Sequence, residues 1–260
     1  MSDYIITVNS TVDTTREWLA ERGVPYIPLK YTIDGQTYSD MEGLSSKEFF
    51  DKLREGKMST TSQINPDEAR EALEPYLKEG KDILHLSFSS GLSGTCNSMK
   101  IAAEELQEEY PERKISCVDS LAATGGQGIL VILAAQNQEK GMSLEENTAW
   151  LEENRLHICH WFTVDDLDFL KRGGRISPTI AWIGGKLKIK PVLRIAEDGT
   201  LAIPEKVRGS KAAMNTIVSK YVSSGLNEEH PYVFLCHGDA LEQAEKAKAA
   251  ILEAVPGAQV

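Results

Sequence analysis

Cysteine is scarce: four residues in 260, at positions 96, 117, 159 and 236, with no C-x-x-C pair. That spacing argues against a disulfide framework, and buried free thiols are the expectation. Both common nucleotide loops, G-x-x-x-x-G-K-[ST] and G-x-G-x-x-G, are absent, so an ATP or NAD site is not expected. No apolar run nears membrane-span length, and the N-terminus lacks a signal peptide's charged-then-apolar pattern. The expected location is therefore cytoplasmic, without stable membrane insertion. Basic charge is also short, 28 Lys+Arg against 39 Asp+Glu, and the net of −11 argues against nucleic acid as a partner. The basic residues are unevenly placed. Between Lys171 and Lys211 ten Lys/Arg stand against three Asp/Glu, a local net of +7 that leaves −18 elsewhere.

Hydrophobic residues at 41% and charged residues at 26% are the balance of an ordinary globular chain, and 260 residues suffice for two modest cores. The most informative stretch is 82–106. An apolar run, Ile83 to Phe88, has strand length. Ser89-Ser90-Gly91-Leu92-Ser93-Gly94-Thr95 follows, and then Met99, Ala102, Ala103 and Leu106 recur at helical spacing. Strand, glycine-hydroxyl loop, helix is the reading. Its hydroxyls and the free amides of the helix start converge where the helix dipole favours an anion, so a phosphate or a carboxylate is the expected ligand group.

Elsewhere strands alternate with helices. Tyr4 to Val8 reads as a strand ending in Asn9-Ser10, and Val24 to Ile33 as another, closed by an Asp34-Gly35 turn. Ser45 with Glu48, and Ser143 with Glu146, form capping boxes. Ser59 to Gln63 reads as a polar loop, followed by Asn65 as cap and Pro66 at the first helical position. Ile115 to Val118 ends in Asp119-Ser120. This alternation predicts an α/β fold with a mostly parallel sheet over 1–155. After Arg155 the pattern changes. Strands are expected at Leu156–Val164, Leu187–Ile195, Leu201–Val207 and Tyr232–Cys236, the middle pair joined at Glu197-Asp198-Gly199. They make a smaller α+β domain over 156–260. Strand carboxyl ends in such sheets bind ligands. That places Ser10, Ser93 and Ser120 at one edge, with Thr61 and Ser62 just ahead of a helix.

Three chemistries compete for these residues. Gly91-Leu92-Ser93-Gly94-Thr95 resembles a nucleophile elbow, making Ser93 the nucleophile of a hydrolase or transferase acting on an anionic substrate. However, Thr95 stands where a second glycine belongs. His157-Ile158-Cys159-His160 suggests a metal, but on a strand His157 and Cys159 face away from His160, and no second cluster exists. Anion capture without chemistry would use Thr61 and Ser93, although both hydroxyls could equally be helix caps.

Seven segments occur in order along nearly the whole chain: Thr61-Ser62-Gln63, Ser89 to Thr95, Val118-Asp119-Ser120, Phe162 to Leu167, Lys171 to Ile176, Leu187 to Leu193, and Lys206 to Gly209. Together they resemble the DegV family of bacterial fatty-acid-binding proteins. The resemblance implies a two-domain DegV-like fold with a long-chain fatty acid, such as palmitate, stearate or oleate, held between the domains, the second closing the lipid cleft. Thr61 and Ser93 match the positions that bind its carboxylate, with Ser10, Ser62, Gly94 and Ser120 as further cleft positions. It also implies a carrier with no cofactor or catalytic residue of its own. A separate fatty acid kinase would convert the carboxylate to an acyl phosphate for phospholipid synthesis. Arg172, Arg175, Lys206, Arg208 and Lys211 are the candidate docking residues for that kinase. The chain departs from the family pattern at Ile64, where proline is usual, and at Asn9, where aspartate is usual. It stops at Val260, ahead of an H-T-G-P-G-like segment, so no histidine is assigned to the head group.

Overall fold

The computed structural model describes residues 4–177, 189–224 and 231–260, and its chain divides into two units, Met1–Ile158 and Cys159–Val260. In the first unit, β1 (Tyr4–Asn9), β2 (Tyr26–Ile27), β6 (Asp82–Ser87) and β7 (Ile115–Asp119) form a parallel sheet of order β2-β1-β6-β7. Its centre is registered Ile6 to Leu84 and Val8 to Leu86, then Leu86 to Val118 and Ser87 to Asp119. Because successive strand side chains alternate, Leu84 and Leu86 enter one core while Ile83 enters the other.

Helices α1 (Arg16–Glu21), α5 (Thr124–Glu139) and α6 (Leu144–Asn154) supply Leu19, Leu130, Val131 and Leu151 to the first core. Helices α3 (Pro66–Lys78) and α4 (Thr95–Glu109) supply Leu73, Leu77, Met99 and Leu106 to the second. Apolar residues on both faces of a parallel sheet require this double cover. The carboxyl ends of β1, β6 and β7 consequently share one edge, where Asn9, Ser10, Ser87, Ser89 and Ser120 are all buried.

A second sheet was not anticipated. Strands β3 (Lys30–Ile33), β4 (Gln36–Ser39) and β5 (Ser59–Ser62) form an antiparallel sheet of order β4-β3-β5. The single strand expected over Val24–Ile33 is divided at Pro28, which has no amide proton to continue a ladder. The Asp34-Gly35 turn forms as expected, with φ of 54° and 75°. The expected polar loop at Ser59–Gln63 is instead largely β5, with Thr61 opposite Tyr31. Helix α2 (Ser46–Arg54) carries its capping box between Ser45 and Glu48.

The second unit holds an antiparallel sheet of order β10-β9-β8, made of β8 (Trp161–Phe162), β9 (Ile189–Ile195) and β10 (Leu201–Arg208). The β9–β10 hairpin turns through Gly199 at φ 78°, and a register shift falls between Ala202 and Glu205. Helices α7 (Asp168–Arg172), α8 (Ser210–Ser224) and α9 (Leu241–Ala254) accompany it.

Two strand expectations are corrected here. Over Leu156–Val164 only Trp161–Phe162 is strand, and Arg155–His157 is a 3-10 turn running on from α6. His157 and Cys159 therefore do not share a strand face. Tyr232–Cys236 contributes an isolated bridge, Tyr232 to Gln259, instead of a strand. Leu187 and Lys188 lie outside the described residues. The thiols also differ from expectation, since Cys96 is buried while Cys159 and Cys236 are exposed.

Candidate functional site

The loop after β6 is held from both flanks. The Phe88 amide donates to Asn9 Oδ1 at 2.8 Å, Ser89 N to Ala122 O at 3.1 Å, and Ser90 N to Asp119 Oδ1 at 3.2 Å. Asn9 also accepts from Ser87 Oγ, while its own Nδ2 is buried without a partner among the described residues. Three successive loop amides are thus engaged, by the ends of β1 and β7 and by Ala122 in the loop after β7. They are not available to an anion, and what remains is the hydroxyls and the start of α4.

There the geometry is specific. Helix α4 has Gly94 at its cap position and no side-chain cap bond, and its first turn closes with Ser98 N on Gly94 O at 3.1 Å. Of the amides just ahead, that of Thr95 is taken by Ser93 Oγ, and those of Cys96 and Asn97 stand where a helix start leaves N–H groups without an intrahelical partner. Ser93 Oγ accepts from Thr95 N at 3.2 Å and lies 3.0 Å from Thr95 Oγ1. Thr95 Oγ1 in turn accepts from Ile64 N at 3.3 Å. Either hydroxyl can donate in the Ser93–Thr95 bond. With Thr95 donating, Ser93 accepts twice and its own proton is free to point at an anion. Ser93 is half-buried and Thr95 fully buried, so the bonded hydroxyls run from the interior towards the surface.

Thr61 does not stand at a helix start as expected. It is an exposed residue of β5, and α3 is capped by Asn65, whose Oδ1 accepts from Glu68 N at 2.9 Å. The segment after Thr61 nevertheless reaches the Ser93 loop twice, through Ile64 N on Thr95 and through the Gln63 side chain against Gly94. Ser62 ends β5 opposite Lys30. Ser10 Oγ accepts from Leu29 N at 3.1 Å, and Ser120 Oγ bonds to both the carbonyl and the amide of Ala122. These two hydroxyls fasten backbone. Thr95, Gln63 and the tethering role of Asn9 were missed in the sequence because their partners are remote in the chain.

A nucleophile needs a base, and Ser93 Oγ has Thr95 as its hydrogen-bond partner among the described residues. The buried His85 is engaged elsewhere, with Nδ1 2.9 Å from Thr7 Oγ1 inside the sheet. Burial, and then Asp119, push the neighbouring Cys96 thiol up. Among the described residues no three His, Cys, Asp or Glu side chains gather as a metal group, and no helix is long and apolar enough to cross a membrane.

The basic candidates lie in the second unit. Arg172 stacks over Phe169 at 5.7 Å, and Arg175 donates to the Gly173 carbonyl. Lys206 and Arg208 alternate with half-buried residues along β10, so both project from its exposed side, and Lys211 is exposed at the start of α8.

Comparison with known proteins gives concordant results. A family model described as "Uncharacterised protein, DegV family" matches residues 4–260. A DegV domain-containing protein of Clostridium perfringens is 42% identical over 258 residues, covering 98% of this chain and 89% of the relative. Among solved structures, a DegV family protein of Thermus thermophilus described as binding fatty acid is 35% identical, with a TM-score of 0.74 over 85% of this chain and 77% of that one. DegV of Bacillus subtilis, described as a fatty acid binding protein, is 28% identical, with a TM-score of 0.81 over 100% of this chain and 91% of that one.

Proposed function

This chain belongs to the DegV family, and on that premise we propose that it binds a long-chain fatty acid non-covalently, its carboxylate held by Ser93 and Thr61. The observation that carries the reading is the hydrogen-bonded series Ile64 N–H, Thr95 hydroxyl and Ser93 hydroxyl. With Thr95 donating in that pair, the Ser93 proton is left for an anion beside the positive end of a 15-residue helix. The fatty-acid binding described for the Thermus and Bacillus relatives supports the same ligand class. A buried carboxylate needs such donors, because hiding the charge without them is costly. Tail burial dominates affinity. At about 0.8 kcal/mol per methylene, roughly fifteen carbons contribute on the order of 10 kcal/mol before costs. Each hydrogen bond to the charged end adds about 1.5–3 kcal/mol and sets orientation.

In this reading the chain is a carrier. It presents the carboxylate to a separate fatty acid kinase that makes the acyl phosphate, and the exposed Lys206, Arg208 and Lys211 meet an acidic surface of that enzyme. Native mass spectrometry of the protein purified from bacteria tests the ligand directly. One non-covalent fatty acid per chain is expected, and Ser93→Ala should lower affinity about tenfold without unfolding the protein. A covalent acyl adduct on Ser93, or phosphate with no lipid, would overturn the proposal.

A further inference from the structure

Gly94 is a glycine for a reason other than backbone freedom. Its φ of −69° is open to any residue. A Cβ placed there would overlap Gln63 Oε1, the nearest atom, and lie 2.8 Å from Gln63 Cδ and 3.0 Å from Gln63 Nε2, inside van der Waals contact. The Gln63 carboxamide occupies the room that a side chain at position 94 would need. Gln63 is itself exposed, and among the described residues its amide has no hydrogen-bond partner. A long side chain is therefore seated against the start of α4, next to Ser93, with both N–H donors unused.

We propose that Gln63 is a third polar contact of the ligand carboxylate, with Nε2 donating to an oxygen held by Ser93 and Thr61. This deepens the fatty-acid reading above and rests on it. Two placements support it. Thr61 lies on β5 and Gln63 follows the strand's last residue, both exposed, while Ile64 is buried in the core. The Ile64 amide is pinned to Thr95, which fixes the backbone next to Gln63 relative to Ser93. A neutral amide suits the role. It donates to the anion without the fixed charge of a lysine, and it favours a carboxylate over an uncharged head of the same size.

The experiment compares palmitate with hexadecanol, an equal tail lacking the charged head, by titration against wild type, Ser93→Ala, Gln63→Ala, Gln63→Glu, Gly94→Ala and the Gln63→Ala/Gly94→Ala pair. Gln63→Ala should weaken palmitate about tenfold and leave hexadecanol within about twofold. Gln63→Glu should weaken palmitate further, through like charge. Gly94→Ala should reproduce the palmitate loss by displacing the amide, and should add nothing once Gln63 is alanine. An unchanged acid-to-alcohol ratio in Gln63→Ala overturns the inference, as does a Gly94→Ala loss that persists in the double variant. If the wild type binds palmitate and Ser93→Ala weakens it while Gln63→Ala is silent, only Gln63 is removed from the site. Wild-type protein that binds no palmitate would sink the fatty-acid reading itself.

Discussion

Thr95 accepts a hydrogen bond from the amide of Ile64 across 31 residues of sequence, at 3.3 Å. This contact joins the chain leaving β5 to the start of α4. It also links the Ser93–Thr95 hydroxyl pair, in which either oxygen can donate, to the backbone of Ile64.

Thr95→Val should therefore weaken fatty-acid binding without removing any group proposed to touch the ligand. It leaves the Ile64 amide without its acceptor, at a cost of about 1–3 kcal/mol in stability. It also removes the hydroxyl bonded to Ser93 Oγ. Thr95→Ser keeps the hydroxyl and should restore most of the affinity. Binding isotherms with a fluorescent fatty acid, alongside urea unfolding, check both effects. Equal binding by the valine and serine variants would remove the relay.

His85 makes acid stability a readout of the sheet. Burial lowers its pKa from 6.5 to about 3, and its Nε2 is buried without a partner among the described residues. The folded state thus holds a neutral imidazole, whereas the unfolded chain takes up a proton below 6.5. Stability from this group is complete above that pH and falls by about 1.4 kcal/mol per unit towards pH 3. Asp13 works in the opposite sense between the ordinary carboxylate value of 3.8 and about 6, raised by desolvation and then by Asp40. The measurement is therefore the difference between wild type and His85→Asn in urea unfolding from pH 7 to 4.5. Parallel curves for the two proteins would show that His85 does not titrate as described.

Charge reversal separates carrying from presenting. Arg208→Glu with Lys211→Glu should leave fatty-acid affinity unchanged, because both residues are exposed and neither is among the groups proposed to hold the carboxylate. Kinase-coupled acyl phosphate formation should drop about tenfold, with a steeper loss at low salt. A variant pair as active as wild type would show that these cations do not meet the kinase.

The site was only partly readable in advance, for a physical reason visible in β5. Ser59–Ser62 has no apolar alternation, and its strand state comes from backbone pairing with β3. No periodicity announces that kind of strand. The same holds for Leu156–Val164, whose apolar content suggested a longer strand than the two residues that pair with β9. Ser93 does stand in a loop ahead of a helix, but its link through Thr95 to the Ile64 amide was not legible.

The residues alone determined what depends on near neighbours. The capping boxes at Ser45 and Ser143, the Asp34-Gly35 turn and the buried stripe Met99, Ala102, Ala103 and Leu106 are set by contacts within a few positions. The order of its motifs also determined the family. Tertiary structure decided the rest: Pro28 separating two sheets, Asn9 and Asp119 capturing the loop amides, and Gln63 lying against Gly94. Those contacts join segments tens of residues apart, and only the closing of the sheets brings their donors and acceptors within hydrogen-bonding range.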